Sequence, residues 1–544
     1  MSAPEAQPQP APAPAPVPEA SPAPAASPSP GTGPASDPTL DRKDWLVLAG
    51  LLAVFALARV PLFPFAENLY GDSVVRSEFA ERWANEPKVY TSFNDGVYQF
   101  GPLHFYYMGL LMKAWPSREH ATRLGSLLMG LLLVLPVYRL GKRLFSRQAA
   151  TVAALCMSVW SLHIQASTTA ASEAVFLTLF FFALDHLFRG VDEQRFGPMA
   201  LAALFTNLFC ALRYDGWLYA ALFALAIALS GKDRIASGTR ALLFGILVSA
   251  FPLWWMQGNE KATGDALYPI HYIDQFHARW VSDGMGWLGS HWLYRLYVLF
   301  FWPGTLVVTA SVLVGLLALV GIVHAFAKKA RRQLALLALV PVAYYVFRGA
   351  LLPTPNFSPL ARFFMTQVAL ALFYVSDGFA WISAKWPSWA KKAFVGLTVS
   401  VAVATPIYLG AVTAWKDGPK ADGLRPISPL STIPTDQMKA ARFIQEKTKG
   451  GAETVAIDEA PEYTDINVAF FSGLPEPRLM RRRWENFEKQ LREQPKPTYL
   501  FAAKGGVFET KDGLSVGGEQ LVWRGETWTR VLVASTKLFV YQRL

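Results

Sequence analysis

Apolar residues along this chain come in long unbroken runs, and the short polar stretches between them concentrate Arg and Lys. The runs fall near 45–63, 121–137, 149–167, 173–188, 197–212, 216–230, 240–256, 296–325, 334–351, 362–384 and 393–413, which predicts eleven membrane-crossing helices. Only a helix satisfies its own backbone polar groups within one segment in hydrocarbon. The run Gly101–Trp115 is apolar for only about 14 residues and reads as an interfacial or re-entrant helix, too short to cross. With that run left out of the count, Arg139, Lys142, Arg143 and Arg147 face the cytoplasm, as the positive-inside rule prefers. The same parity puts the later basic loops inside and the C-terminal region outside. Arg59, near the outer end of the first run, is expected to snorkel to the interface.

The pattern changes at both ends. Residues 1–40 are mostly Pro, Ala and Ser, a composition expected to stay disordered, with no apolar core of a signal peptide, and to remain as a cytoplasmic tail. Residues 41–415 form the membrane region, with a first external loop at 64–120. Over residues 416–544 hydropathy falls and charge rises. Thr435 or Asp436 can cap a helix carrying Met438, Ala441, Phe443 and Ile444, ended by Gly450 and Gly451. The strand-like runs TVAI, TYLFAA, RVLVAS and LFVYQ follow, so this part reads as a small α/β domain outside the membrane. Its run Arg481–Arg483 reads as a solvated patch, with lipid headgroups as the other partner such a run can meet.

Composition agrees with a polytopic membrane protein: 52% of the 544 residues are hydrophobic, with 18 Trp and 37 Phe. A net charge of +11 invites a nucleic-acid reading, but the basic residues lie in loops between apolar runs and form no stripe with interleaved aromatics, so nucleic acid is excluded as a partner. Cys156 and Cys210 both fall inside apolar runs, where they read as packing residues.

Ionisable groups at membrane depth are costly and mark candidate sites. The first external loop brings Asp72 in the string GDS, flanked by Arg76 and Glu78. Glu173 follows a polar break in HIQASTTAASEAVF, at an expected external turn. Arg213 and Asp215 lie in the tip CALRYDGW, between two short apolar runs. Arg348 and Arg362 flank LPTPNFSPL at the outer ends of two spans. Each has a structural reading too: Arg213 and Asp215 pairing with each other, Glu173 favouring a helix start, the other arginines anchoring the interface. Together they converge on one face, where a carboxylate can take a proton from a hydroxyl and guanidinium groups can hold a departing lipid phosphate.

These residues stand in ordered motifs: GDS at 71–73, YQFGPLHFYY at 98–107 with Tyr98 and His104, RLGSLLMGLLLVLPVYRLGKRLFSRQAATVAAL at 123–155, SE at 172–173, RYDGW at 213–217, and Arg362 after a Pro-rich loop. Over about residues 44–415 the chain resembles the GT-C glycosyltransferases, in particular relatives of protein O-mannosyltransferases and of the lipid A aminoarabinose transferase. The resemblance implies the GT-C fold and inverting transfer of a sugar from a polyprenyl-phosphate-linked donor, on the outer side of the cytoplasmic membrane, to a lipid, glycan or protein acceptor. It maps the catalytic base or acceptor-binding carboxylate onto Asp72 and the second external-loop acid onto Glu173. A divalent metal, used by some relatives and not by others, would take Asp72 and Glu173 as ligands, with His104 or His163 nearest to help, although no spacing such as HExxH is present. Phe100, Gly101 and Pro102 stand where the aminoarabinose enzymes carry Lys-Pro-Pro, which argues against a lipid A acceptor. No Trp-Trp-Asp occurs in the C-terminal region, which argues against transfer to sequon asparagines. The competing readings are a glycan polymerase or ligase using a lipid-pyrophosphate donor and a lipid or solute transporter. A transporter predicts inverted repeats with broken helices meeting at the bilayer midplane; no internal repeat is visible, and the charged residues cluster at one face.

Overall fold

The apolar runs do fold as helices, and their lengths differ enough to sort them by role. The computed structural model describes residues 40–64, 71–97, 100–231, 233–284, 291–339, 341–351, 359–415, 435–461 and 464–544, so the N-terminal tail and Tyr98 lie outside the described residues. Among the described residues five helices are long and apolar enough to cross a membrane: Arg42–Leu62, His120–Leu144, Ser172–Glu193, Ala361–Ile382 and Ser388–Leu409. Two broken pairs raise the number to seven, Arg147–Val159 with Ser161–Thr168, bent by 62°, and Arg234–Val248 with Ala250–Thr263, bent by 45°. The chain is thus an integral multi-pass membrane protein.

Three more of the expected crossings, at Phe196–Cys210, Asp215–Ser230 and Val312–Ala327, are shorter apolar helices. At about 1.5 Å per residue, 15 or 16 residues do not reach across roughly 30 Å of hydrocarbon. The run 296–325 is divided, because Ser311 adopts φ 94° between the helices His291–Thr309 and Val312–Ala327. Beyond the run 240–256 the chain stays helical, continuing the Ala250–Thr263 helix and then forming a helix at Tyr268–Gly284. Leu103–Ala114 is a 12-residue helix and no candidate span, as its short apolar run implies.

Burial separates a central column from a lipid-facing rim. The Ser172–Glu193 span is 78% buried inside the protein and the Ser388–Leu409 span only 6%, leaving Leu397, Val399 and Val403 exposed on the outer helix. At one end of the bundle Asp41 and Asp44 form a capping box on the first helix. Buried Asp44 also accepts from Tyr138 at 2.7 Å, Lys142 at 2.6 Å and Arg147 at 2.8 Å, so the basic segment 138–147 is tied to the start of the membrane region.

Arg59 does not snorkel; it is wholly buried. The 62° break after Val159 leaves helix-end carbonyls unbonded in an apolar interior, and Arg59 donates to the carbonyls of Ser158 at 2.9 Å and Met157 at 3.3 Å. It also bonds Ser167 Oγ at 2.9 Å and lies 2.6 Å from His163 Nδ1, which places His163 in this cap and away from any metal set. Arg59→Leu is expected to orphan these acceptors at a cost of roughly 1–3 kcal/mol per group. A lower melting temperature of the detergent-extracted protein checks this, and an unchanged one would show that water or another side chain replaces the cap.

The C-terminal domain is a six-stranded mixed sheet in the order β2-β1-β3-β6-β5-β4. Its strands are β1 Val455–Ile457, β2 Leu479–Arg481, β3 Tyr499–Ala503, β4 Gln520–Trp523, β5 Glu526–Val533 and β6 Leu538–Arg543. Strand β1 pairs in parallel with β2 and β3, and the remaining pairs are antiparallel. The four expected strands are present; β2 is only three residues long and ends in arginine, which hid it. Strand β4 is followed by Arg524 and Gly525, both at positive φ, the two-residue turn that suits a twisted hairpin. The expected helix appears as Thr435–Lys447, burying Ala440, Ala441 and Ile444. Arg481–Arg483 is no solvated patch: Arg481 is buried against Glu78, and Arg483 grips Asp465 through two bonds of 2.9 Å.

Candidate active site

Asp72 lies in the first turn of the helix Gly71–Asn85, where the unpaired N–H groups favour a carboxylate. Glu173 occupies the matching position in Ser172–Glu193. The chain before Glu173 is held from two sides: buried Arg123 Nε donates to the Thr168 carbonyl at 2.8 Å, and Ser126 Oγ to the Ala171 carbonyl at 3.1 Å. The arginines sit on turns. Arg213 is in the tip between Phe196–Cys210 and Asp215–Ser230, and Arg362 is in the 3-10 turn Ala361–Phe364. A Cβ at Gly101 would overlap the Ala211 carbonyl, and Leu103 N–H donates to that same carbonyl at 3.2 Å. Glycine is therefore required where the FGPLH motif lies against the RYDGW tip.

Four of the candidate residues come together as two ion pairs. Arg362 Nη1 is 2.6 Å from Asp72 Oδ2, and Arg213 Nη1 is 2.8 Å from Glu173 Oε1. Arg213 Nε also reaches Asp215 Oδ1 at 3.1 Å, so Arg213 bridges two acids. Glu173, in turn, interacts electrostatically with Arg213, Arg362 and Arg76, which joins the two pairs into one cluster. Glu173, Arg213, Asp215 and Arg362 line a small opening whose apolar wall includes Phe176, Phe363 and Met365. The acids differ in access: the side chain of Glu173 is 5% exposed and that of Asp72 is 26% exposed. Asp72 and Asp215, the latter 24% exposed, are the reachable carboxylates, and of the two Asp215 is already held by Arg213 Nε.

Among the described residues no three His, Cys, Asp or Glu side chains gather as a metal set. Asp72 and Glu173 each face a guanidinium, an arrangement that fits a charge-paired site and not a divalent cation. His104 is buried beneath the cluster; burial first, and the charge of Arg76 second, hold its imidazole well below its ordinary pKa, so it is neutral.

Residues 99–255 match the family model of the dolichyl-phosphate-mannose-protein mannosyltransferases. Among solved structures, apo ArnT from Cupriavidus metallidurans shares the fold with a TM-score of 0.55 at 12% identity, covering 91% of this chain and 97% of that one. ArnT bound to undecaprenyl phosphate gives 0.54 and 13%, covering 92% and 98%. The oligosaccharyltransferase AglB from Archaeoglobus fulgidus, in complex with an inhibitory peptide and a dolichol-phosphate, gives 0.50 and 14%, covering 86% and 70%. No curated protein matches the chain. The family model covers the segment that carries Glu173 and Arg213, and the structures supply the same fold around it. The chain has the fold of ArnT and AglB, and within that fold residues 99–255 match the mannosyltransferase family model.

Within this fold, Arg348 stands beside the cluster. Its Nη1 bonds Asp274 Oδ1 at 2.8 Å and Tyr344 Oη at 3.1 Å. Asp274 and His277 come from the helix Tyr268–Gly284, three residues apart and so on one face. The His277 ring packs 5.5 Å from that of Phe363. Burial, then Arg348 and Arg362, lower its pKa to about 4, so His277 is a neutral imidazole beside the Asp72–Arg362 pair. Asp274 and His277 are not among the residues that the sequence singles out. The i, i+3 spacing of Asp274 and His277 in YPIHYIDQFHARW was the signal that a helix face was being offered.

Proposed function

We propose that this chain is a glycosyltransferase that moves a sugar, with inversion, from a polyprenyl-phosphate donor to an acceptor hydroxyl at the outer face of the cytoplasmic membrane. The observation that carries this reading is the Asp72–Arg362 pair, whose arginine lines an opening with an apolar wall. Arginine matches a phosphate as well as a carboxylate. An arriving lipid phosphate can therefore replace Asp72 on Arg362, and the displaced carboxylate becomes free to act as base. Two solved structures of the same fold are in complex with a lipid phosphate of this class, which supports the choice of donor.

Asp72 takes the acceptor hydroxyl proton as the acceptor oxygen forms a bond to the anomeric carbon. The bond from that carbon to the phosphate oxygen breaks, and its electron pair leaves with the lipid phosphate. Attack opposite the leaving group inverts the anomeric centre. Arg362 and Arg213 stabilise the negative charge that grows on the phosphate. Glu173 and Asp215 hold Arg213 in place, and the neutral His104 and His277 add no competing charge. The outer-face assignment rests on the positive-inside preference: Asp72, Glu173, Arg213 and Arg362 are each separated by an apolar segment from the basic stretches at 139–147, 189–195 and 328–332.

Membranes containing the protein and a radiolabelled polyprenyl-phosphate hexose test the reading. Label is expected to pass to an acceptor, one sugar per event, with inverted configuration. Movement of intact donor between leaflets without transfer would establish a transporter, and growth of a polymer from a lipid-pyrophosphate donor would establish the polymerase.

A further inference from the structure

The Gly71–Asn85 helix, which carries Asp72, is clamped along its other side by the C-terminal domain. Val74 is fully buried within the apolar cluster of that domain, with Ile466, Ala469 and Phe470. One turn on, both oxygens of Glu78 lie within 3.0 Å of Arg481 Nη1, at 2.9 and 3.0 Å, and Arg481 is 4% exposed. A further turn on, Glu81 accepts from Arg118 Nε at 2.7 Å, while Arg118 Nη1 donates to the Phe470 carbonyl at 3.1 Å. Arg82 also reaches Glu476 at 3.2 Å, but both side chains are exposed and the link contributes little.

Positions 74, 78 and 81 recur at helical spacing on one face. Asp72 precedes Val74 by two residues, about 200° round the helix, and so points away from the domain toward Arg362. Turning or sliding this helix would misplace Asp72 and break the contacts on the other face together.

We propose that the C-terminal domain sets the position of the catalytic carboxylate, and that Arg481 is a positioning residue acting on Asp72 through Glu78. Arg481 is buried and Glu78 only 14% exposed, so removing either partner leaves the other as a poorly compensated charge and frees the helix to shift. A displacement of about 1 Å at a reacting group is enough to cost up to roughly 100-fold in rate. This assignment rests on Asp72 being the base, and the experiment separates the two ideas.

The test uses the full-length protein, with kcat, donor KM and hydrogen exchange of residues 71–85 measured for R481Q, R481K and the exchanged pair E78R/R481E. R481Q is expected to lower kcat about 10- to 100-fold with donor KM within about twofold, and to raise exchange in 71–85. R481K and the exchanged pair are expected to recover part of the rate. In a D72N background R481Q is expected to add little further loss, since both changes act on one group. Faster exchange in 71–85 with unchanged kcat would overturn the positioning role. A fully active D72N would remove Asp72 as base, while the exchange data would still report whether the domain holds the helix. Should R481Q fail to fold, R481K decides: normal kcat with normal exchange would overturn the proposal.

Discussion

Asp72→Asn is expected to lower the rate of sugar transfer by roughly 100-fold or more, the usual size of a general-base contribution. The substitution keeps the shape of the side chain and one acceptor for Arg362, and removes the group that receives the proton. It also removes the charge that competes with phosphate for Arg362. Affinity for the lipid phosphate is therefore expected to be unchanged or higher while kcat falls. Initial rates with labelled donor and direct binding of undecaprenyl phosphate measure the two separately. Activity within a factor of two of wild type would discard Asp72 as the base. Loss of binding in step with loss of rate would point to misfolding or to a role in holding the donor.

Arg362→Gln should be comparably damaging, by roughly 100- to 1,000-fold in kcat/KM, because the developing phosphate charge loses its most accessible partner and Asp72 loses its resting one. Arg362→Lys retains the charge without the planar fork and is expected to recover only part of the loss. Weak inhibition of this variant by free polyprenyl phosphate is expected as well. Equal inhibition of wild type and R362Q by the lipid phosphate would move the phosphate site elsewhere, with Arg213 and Arg76 as the remaining cations of the cluster and Arg348 beside it.

Sequence and structure agree where the signal is local. The Ser172–Glu193 and His120–Leu144 spans follow from unbroken apolar runs, and the short Leu103–Ala114 helix follows from the brevity of its run. Arg59 shows where local reading fails. Its place near the end of the first run suggested an interfacial anchor, yet it caps a helix break at residues 157–159, about a hundred positions further along the chain. Arg481 fails for the same reason: a run of three arginines is usually solvated, and only the approach of Glu78 makes the first of them a buried partner.

The amino-acid sequence by itself determined that this is a multi-pass helical protein with a separate α/β domain, and which turns carry charge. Hydropathy and helix length act within one segment, so they can be read one segment at a time. Only the tertiary structure decided which charges meet: Asp72 with Arg362 across 290 positions, Glu173 with Arg213 across 40, and Glu78 with Arg481 across 403. No periodicity encodes such pairings, because they arise when packing of the whole bundle brings the ends of separate helices to one place.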